Sequence, residues 1–153
     1  MQLVFEEVTA QFTSIGGNWF AGPQRELEQL VASYDALHAL FSPTESEAIE
    51  RAFCGAAQYL YETKPPAEDM ASRAMNPAAD RLGALGLIAL TVPSHVNASL
   101  WLADAVREFK WMIVNGVMED GQWHEPSTRY HGRVRSQAIQ ESTIALSCLM
   151  DCL

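Results

Sequence analysis

Residues 76–93 read NPAADRLGALGLIALTVP. Asn76 followed by Pro77 is a helix start, a capping side chain and then a proline in the first turn, where its missing N–H costs nothing. Pro93 ends the run, because it cannot continue a helix. Between these limits the segment is apolar on nearly every side. Such a helix has no face for water and must be packed around by other elements. Gly83 and Gly86 would let those neighbours come close. The rest of the chain therefore has to supply several amphipathic elements.

It supplies helices. Over residues 24–41, Leu27, Leu30, Val31, Tyr34, Leu37 and Phe41 recur at three- and four-residue steps and form one stripe. Ser42-Pro43-Thr44-Glu45 then has the pattern of a capping box with proline at the first helical position. The helix it starts, to about residue 62, turns Ala48, Ile49, Ala52, Phe53, Ala56, Tyr59 and Leu60 inward. Residues 63–76, TKPPAEDMASRAMN, form a connection that is long for a helical bundle. A further helix over 97–115 offers Trp101, Leu102, Ala105, Val106, Phe109, Met112 and Ile113, and Asn115-Gly116 stops it. A last one, over 132–151, offers Val134, Ala138, Ala145 and Leu149.

Outside residues 2–5 there is no strand pattern, and residues 1–23 read as an irregular segment of the same domain. The expectation is all-α: one domain over residues 1–153, built of antiparallel helical hairpins. Burying 76–92 on all sides asks more than five helices offer. The chain is therefore expected to be part of a larger polypeptide or to form a homo-oligomer.

Charge removes whole classes of partner. With a net charge of −9 and pI near 4.8, the chain lacks the basic footprint of nonspecific nucleic-acid binding. Nothing in it calls for an anionic membrane surface, and no apolar run reaches the ~18 residues of a span. MQLVFEEVTAQF carries Glu6 and Glu7 and no basic start, so it does not read as a signal peptide. Cys54, Cys148 and Cys152 are odd in number and have no fourth ligand at zinc spacing. They read as small buried residues. His38 and His95 have no partner at ligand spacing and read as structural or surface residues.

The chemistry concentrates in residues 119–131, EDGQWHEPSTRYH. Three of the ten Lys and Arg residues, Arg129, Arg133 and Arg135, fall within 129–135. In an acidic chain that reversal fits an anionic ligand around Tyr130. The plainer alternative pairs Arg133 and Arg135 with Glu119, Asp120 or Glu141 on a solvated face. Trp123 lies beside a glycine in this stretch and is the best placed of the four tryptophans to stack on a sugar. Trp19, in GGNW, is a weaker candidate, and Trp101 lies on the core stripe.

Two segments carry a resemblance. YDALHALFSPTESEAI is similar to a helical hairpin of the heparinase II/III-like and alginate lyase polysaccharide lyases. WLADAVREFKWMIVNGVMEDGQWHEPSTRYHGRV resembles the part of their (α/α) toroid where a tyrosine follows a "DG…E…YH" pattern. The family has an Asn-His pair some fifty residues earlier, and Asn76 stands 54 positions before Tyr130. The resemblance covers roughly residues 24–153 and implies that the hairpins form part of an incomplete (α/α) toroid. It implies β-elimination on a uronic-acid polysaccharide or oligosaccharide, no cofactor or metal, and a periplasmic or secreted setting.

On this reading Tyr130 is the acid, and the base if nearby positive charge lowers its pKa from the usual ~10. Asn76 neutralises the uronate carboxylate. Arg129, His124, His131, Trp123 and Arg133 bind or tune, while Glu125 holds the loop. Two features depart from the family: Pro77 occupies the histidine position, and family chains are much longer. Both count against a complete active site in these residues. Two other readings follow. A non-catalytic carbohydrate-binding or helical interaction module is favoured by Pro77. An (α/α) glycoside hydrolase would need paired carboxyl groups, for which Asp80 and Asp120 are the candidates.

Overall fold

The computed structural model describes residues 24–119. Every regular element among them is helical: α1 (Gln24–Leu37), a 3-10 turn (His38–Leu40), α2 (Pro43–Glu62), α3 (Met70–Ala74), α4 (Asn76–Thr91) and α5 (Ala98–Gly116). The all-α reading holds. None of these helices is long and apolar enough to cross a membrane.

The local signals act as their chemistry dictates. Ser42 is the N-cap of α2: its hydroxyl accepts the Glu45 N–H at 3.4 Å, and the Glu45 carboxylate accepts the Ser42 N–H at 2.9 Å. At the other end the Thr63 hydroxyl donates to the Tyr59 carbonyl at 2.7 Å. The helix expected over 24–41 stops at Leu37, and its last turn tightens to the 3-10 geometry common at helix ends. The connection after α2 holds a helix that periodicity did not reveal, because five residues are too few to show a stripe. Asp69 starts α3 by accepting the Ser72 N–H at 3.0 Å.

The all-apolar helix α4 is the hub. It packs against α1, α2, α3 and α5, and Ala79, Ala84, Leu85 and Ile88 are fully buried. Along this helix Pro77, Asp80, Gly86, Leu87, Leu90 and Thr91 are half-buried and the other residues are buried. α1 and α2 meet through Tyr34. Its ring lies 5.6 Å from both Phe41 and Phe53, edge-on to the latter, and its hydroxyl donates to Glu50 Oε1 at 2.8 Å.

α4 and α5 run antiparallel. Ala78, Ala79 and Leu82 near the start of α4 pack with Phe109 and Met112 near the end of α5, and Gly86 faces Ala105. A Cβ on Gly86 would meet the Ala105 Cβ at 3.7 Å, an ordinary contact, so this crossing does not require glycine. The buried face of α5 also differs from expectation. Trp101, Ala105, Phe109 and Met112 turn inward, but Val106 and Ile113 are exposed and Asp104 is buried. The stripe 101–104–105–109–112 is one face of a 3.6-residue helix, and Val106 and Ile113 fall beside it.

Candidate functional site

The antiparallel hairpin decides what meets what. Met112 packs with Ala78 and Ala79, so the last turn of α5 ends beside the first turn of α4. The segment that follows α5 thus leaves from the end of the hairpin where Asn76 stands. Tyr130, Arg129, His124, His131, Trp123 and Arg133 lie outside the described residues, as do Trp19, Asp120, Glu125 and Arg135.

Asn76 is the expected site residue that the structure describes, and two findings about it differ from expectation. Met75, in extended conformation, is the N-cap of α4, and Asn76 is already helical with Pro77 behind it. The Ala78 N–H bonds to the Met75 carbonyl at 2.9 Å, which starts the first turn one residue early. Asn76 is also 5% exposed, not open at a helix mouth. The short α3 and the end of α5 crowd this end of α4.

Sequence periodicity missed a buried ionic cluster on the same hairpin. Asp104 is 1% exposed, and its Oδ1 accepts Lys64 Nζ at 2.9 Å and an Arg107 guanidinium N–H. Arg81, 2% exposed, comes from α4, and its Nη1 donates to the Leu60 carbonyl at 3.0 Å. Burial pulls the Arg81 guanidinium below its ordinary pKa, while Asp104 and then Glu108 oppose that shift. One turn along α5, Glu108 accepts two N–H groups of Arg73, at 3.1 and 2.8 Å. The Arg73 guanidinium also lies 3.6 Å from the centre of the Trp111 ring and donates to the Ala67 carbonyl at 2.8 Å.

These contacts pin the connection between α2 and α4 to α5 twice. Lys64–Asp104 holds one end and Arg73–Glu108 the other, at positions four apart on α5. The signal was present in the sequence as two charges in apolar settings: Arg81 inside the all-apolar helix, and Asp104 three residues after Trp101. A charge at a core position has to find partners, and Lys64 and Arg73 are the cations of the preceding connection.

Other candidates take plain roles. Trp101 is fully buried, and the His95 ring stacks on it at 4.6 Å. The Asn97 N–H donates to His95 Nδ1 at 3.2 Å, which braces the turn between α4 and α5. His38 Nδ1 lies 3.0 Å from the Asp35 carbonyl at the surface. Trp111 stacks with an arginine of its own chain. Burial pushes the Cys54 thiol up from its ordinary pKa, with the nearby Glu50 charge adding to the shift. Asp80 is half-buried on α4. Among the described residues no three His, Cys, Asp or Glu side chains gather to hold a metal ion.

Comparison with protein-family models, curated proteins and solved structures finds no match to this chain.

Proposed function

We propose that the chain is part of an (α/α)-toroid polysaccharide lyase-like protein that acts on uronic-acid polysaccharide by β-elimination. The observation that carries this reading is the antiparallel α4–α5 hairpin. It returns the chain to the level of Asn76 just before the segment bearing Tyr130. The end of α5, 14 residues before Tyr130, thereby lies at the Asn76 end of the hairpin. The 14 residues from Gly116 to Tyr130 give ample reach to close the remaining gap, at up to about 3.3–3.6 Å each.

The reaction needs the carboxylate neutralised, the C5 proton removed and the leaving oxygen protonated. In this proposal Tyr130 transfers protons, with Arg129, His131 and Arg133 supplying positive charge around it. Such acid–base assistance contributes roughly 10²–10⁴-fold in rate. His124 and Trp123 hold the sugar. Asn76 meets the carboxylate only if this end of the hairpin opens, because its side chain is buried.

That burial, with Pro77 in the family's histidine position, supports a second reading: a non-catalytic module that binds acidic saccharide. One experiment separates the two. The chain, within its longest natural reading frame, is incubated with alginate, heparan-type and other uronate polymers. A lyase generates the ultraviolet absorbance of unsaturated uronate, and Tyr130→Phe abolishes it without changing the far-ultraviolet circular dichroism. Binding without product supports the module. Product that persists in Tyr130→Phe removes Tyr130 from the chemistry.

A further inference from the structure

The ionic cluster around Asp104 carries more cation than its own carboxylate can absorb. Lys64 and Arg107 both bond to a single oxygen, Asp104 Oδ1, and the buried Arg81 feels the charge of the same carboxylate. Two donors on one oxygen bring their charged groups to within roughly 6 Å of each other, about two hydrogen-bond lengths. Glu108 is the next acid on α5. It is committed to Arg73 and meets Arg107 at 3.3 Å. In the same connection Glu68 is exposed and Asp69 is committed to the cap of α3. Asp80 is half-buried on α4, next to Arg81 in sequence.

A core ion pair would hold both partners inside, but these two cations are open. The Lys64 side chain is 36% exposed and that of Arg107 62%, while the Asp104 side chain they share is 2% exposed. Both keep N–H donors beyond those bonded to Asp104 and Glu108. Lys110, exposed, follows Arg107 by three residues on the same side of α5. Tyr61 lies beside them, its ring centre 4.6 Å from Lys64 Nζ. Behind the pair, Asp104 Oδ2 and Arg81 Nε are buried and make no hydrogen bond. The exposed side chains of the cluster are thus Lys64 and Arg107, and the carboxylate they share is buried.

The geometry points to Lys64 and Arg107 as a binding site for an oxyanion, a carboxylate or sulfate group, with Asp104 as the buried residue that positions both cations. This deepens the acidic-saccharide reading, on which it rests for the nature of the ligand. It adds a second contact point on the flank of α5, away from Tyr130 in sequence. An oxyanion accepts one N–H from each cation, and the Tyr61 ring offers an apolar face next to the bound group.

The test uses the full chain and three probes at constant ionic strength: sodium sulfate, a heparin tetrasaccharide and an alginate tetrasaccharide, with chloride as control. Binding is followed by calorimetry and by the Arg Nε–H resonances. The expected result is saturable binding of at least one tetrasaccharide with a shift of the Arg107 resonance. Arg107→Gln and Lys64→Met each weaken it tenfold or more, and Lys64→Arg restores most of it. Circular dichroism confirms that the variants are folded, and Arg107, being largely exposed, is the variant least coupled to folding. Binding unchanged within twofold in both variants overturns the site, as does the absence of binding by all three probes.

Failure of the lyase reading looks different. In that case no polymer yields unsaturated product, yet binding still depends on Arg107. Conversely, product formation with an unchanged KM in Arg107→Gln would leave the lyase reading standing and remove this site.

Discussion

Replacing Asp104 by alanine tests the cluster most directly. The three cations around it would respond differently. Lys64 and Arg107 are exposed enough to swing into water, so their share of the loss is small. Arg81 is 2% exposed and cannot follow; it would keep its bond to the Leu60 carbonyl and the weaker influence of the Glu108 charge. Breaking a buried ion pair from one side costs about 3–5 kcal/mol, because the other charge is left in the core. Arg81 and Asp104 share no direct bond and attract through space, with Glu108 also acting on Arg81, so the loss expected for Asp104→Ala is at most the lower end, about 3 kcal/mol. For a chain of this size that corresponds to a fall of roughly 6–12 °C in Tm.

Urea unfolding followed by circular dichroism measures the loss, and Arg81→Met/Asp104→Leu supplies the control. Removing both charges while keeping volume should return most of the stability, giving a coupling of about 2 kcal/mol or more. A single-variant loss below about 1 kcal/mol, or a double variant that merely sums the singles, would refute the claim that these two charges hold each other in the core.

Gly55→Ala and Gly86→Ala should each stabilise by about 0.5–1 kcal/mol in the same urea assay, since helix-interior glycine is unfavourable. A Cβ at Gly55 meets nothing within 4 Å, and one at Gly86 makes an ordinary contact with Ala105. Hydrogen bonds from Ser42 hold the Glu45 carboxyl below its ordinary pKa, and those from Ser72 do the same for Asp69. A depressed carboxylate contributes stability above its unfolded pKa and loses it as pH falls through the folded value, so thermal scans should show decline below about pH 4. Ser42→Ala should lower Tm through loss of a cap worth about 1 kcal/mol and flatten that acid decline.

At the alkaline end, burial pushes the Tyr34 phenol up; the Ser46 hydrogen bond works against that rise, and Glu50 adds to it. A raised phenol contributes stability present below the unfolded pKa of about 10 and lost as pH rises through the folded value. Tyr34→Phe should therefore cost about 1 kcal/mol at neutral pH and remove that alkaline loss, read by urea unfolding across pH.

What the sequence disclosed follows from which forces are local. The α2 start was legible because capping is chemistry within four residues, Ser42 to Glu45. The burial of α4 was legible because every turn of it is apolar. The termini of α4 and α5 came within a residue or two for the same reason. The buried face of α5 was legible only in part. Periodicity assigns hydrophobic residues inward, and it has no means to turn Asp104 in and Val106 out. That choice is made by Arg81 and Lys64, which arrive from elsewhere in the chain, with Arg107 one turn along the same helix. Asn76 was read as a cap because Asn-Pro usually is one; the bond from Ala78 to Met75 shifted the boundary. Of the candidate site, the sequence offers the residue types and order around Tyr130, and the structure adds that α5 ends beside the start of α4.

The two ion pairs that pin residues 64 and 73 to α5 work as footings for a bridge. Both ends of the span between them, residues 65–72, are anchored on one helix, and within it the bond from Arg73 to the Ala67 carbonyl and the Asp69 cap hold the second half in place. An inserted stretch of flexible residues between Pro65 and Pro66, ahead of those ties, should be tolerated at the small entropic cost of a longer loop. The same insertion before Lys64 or after Arg73 would pull a footing from its socket. This span is thus a natural place to graft a reporter peptide, or for related chains to vary in length, while the α4–α5 hairpin keeps its register.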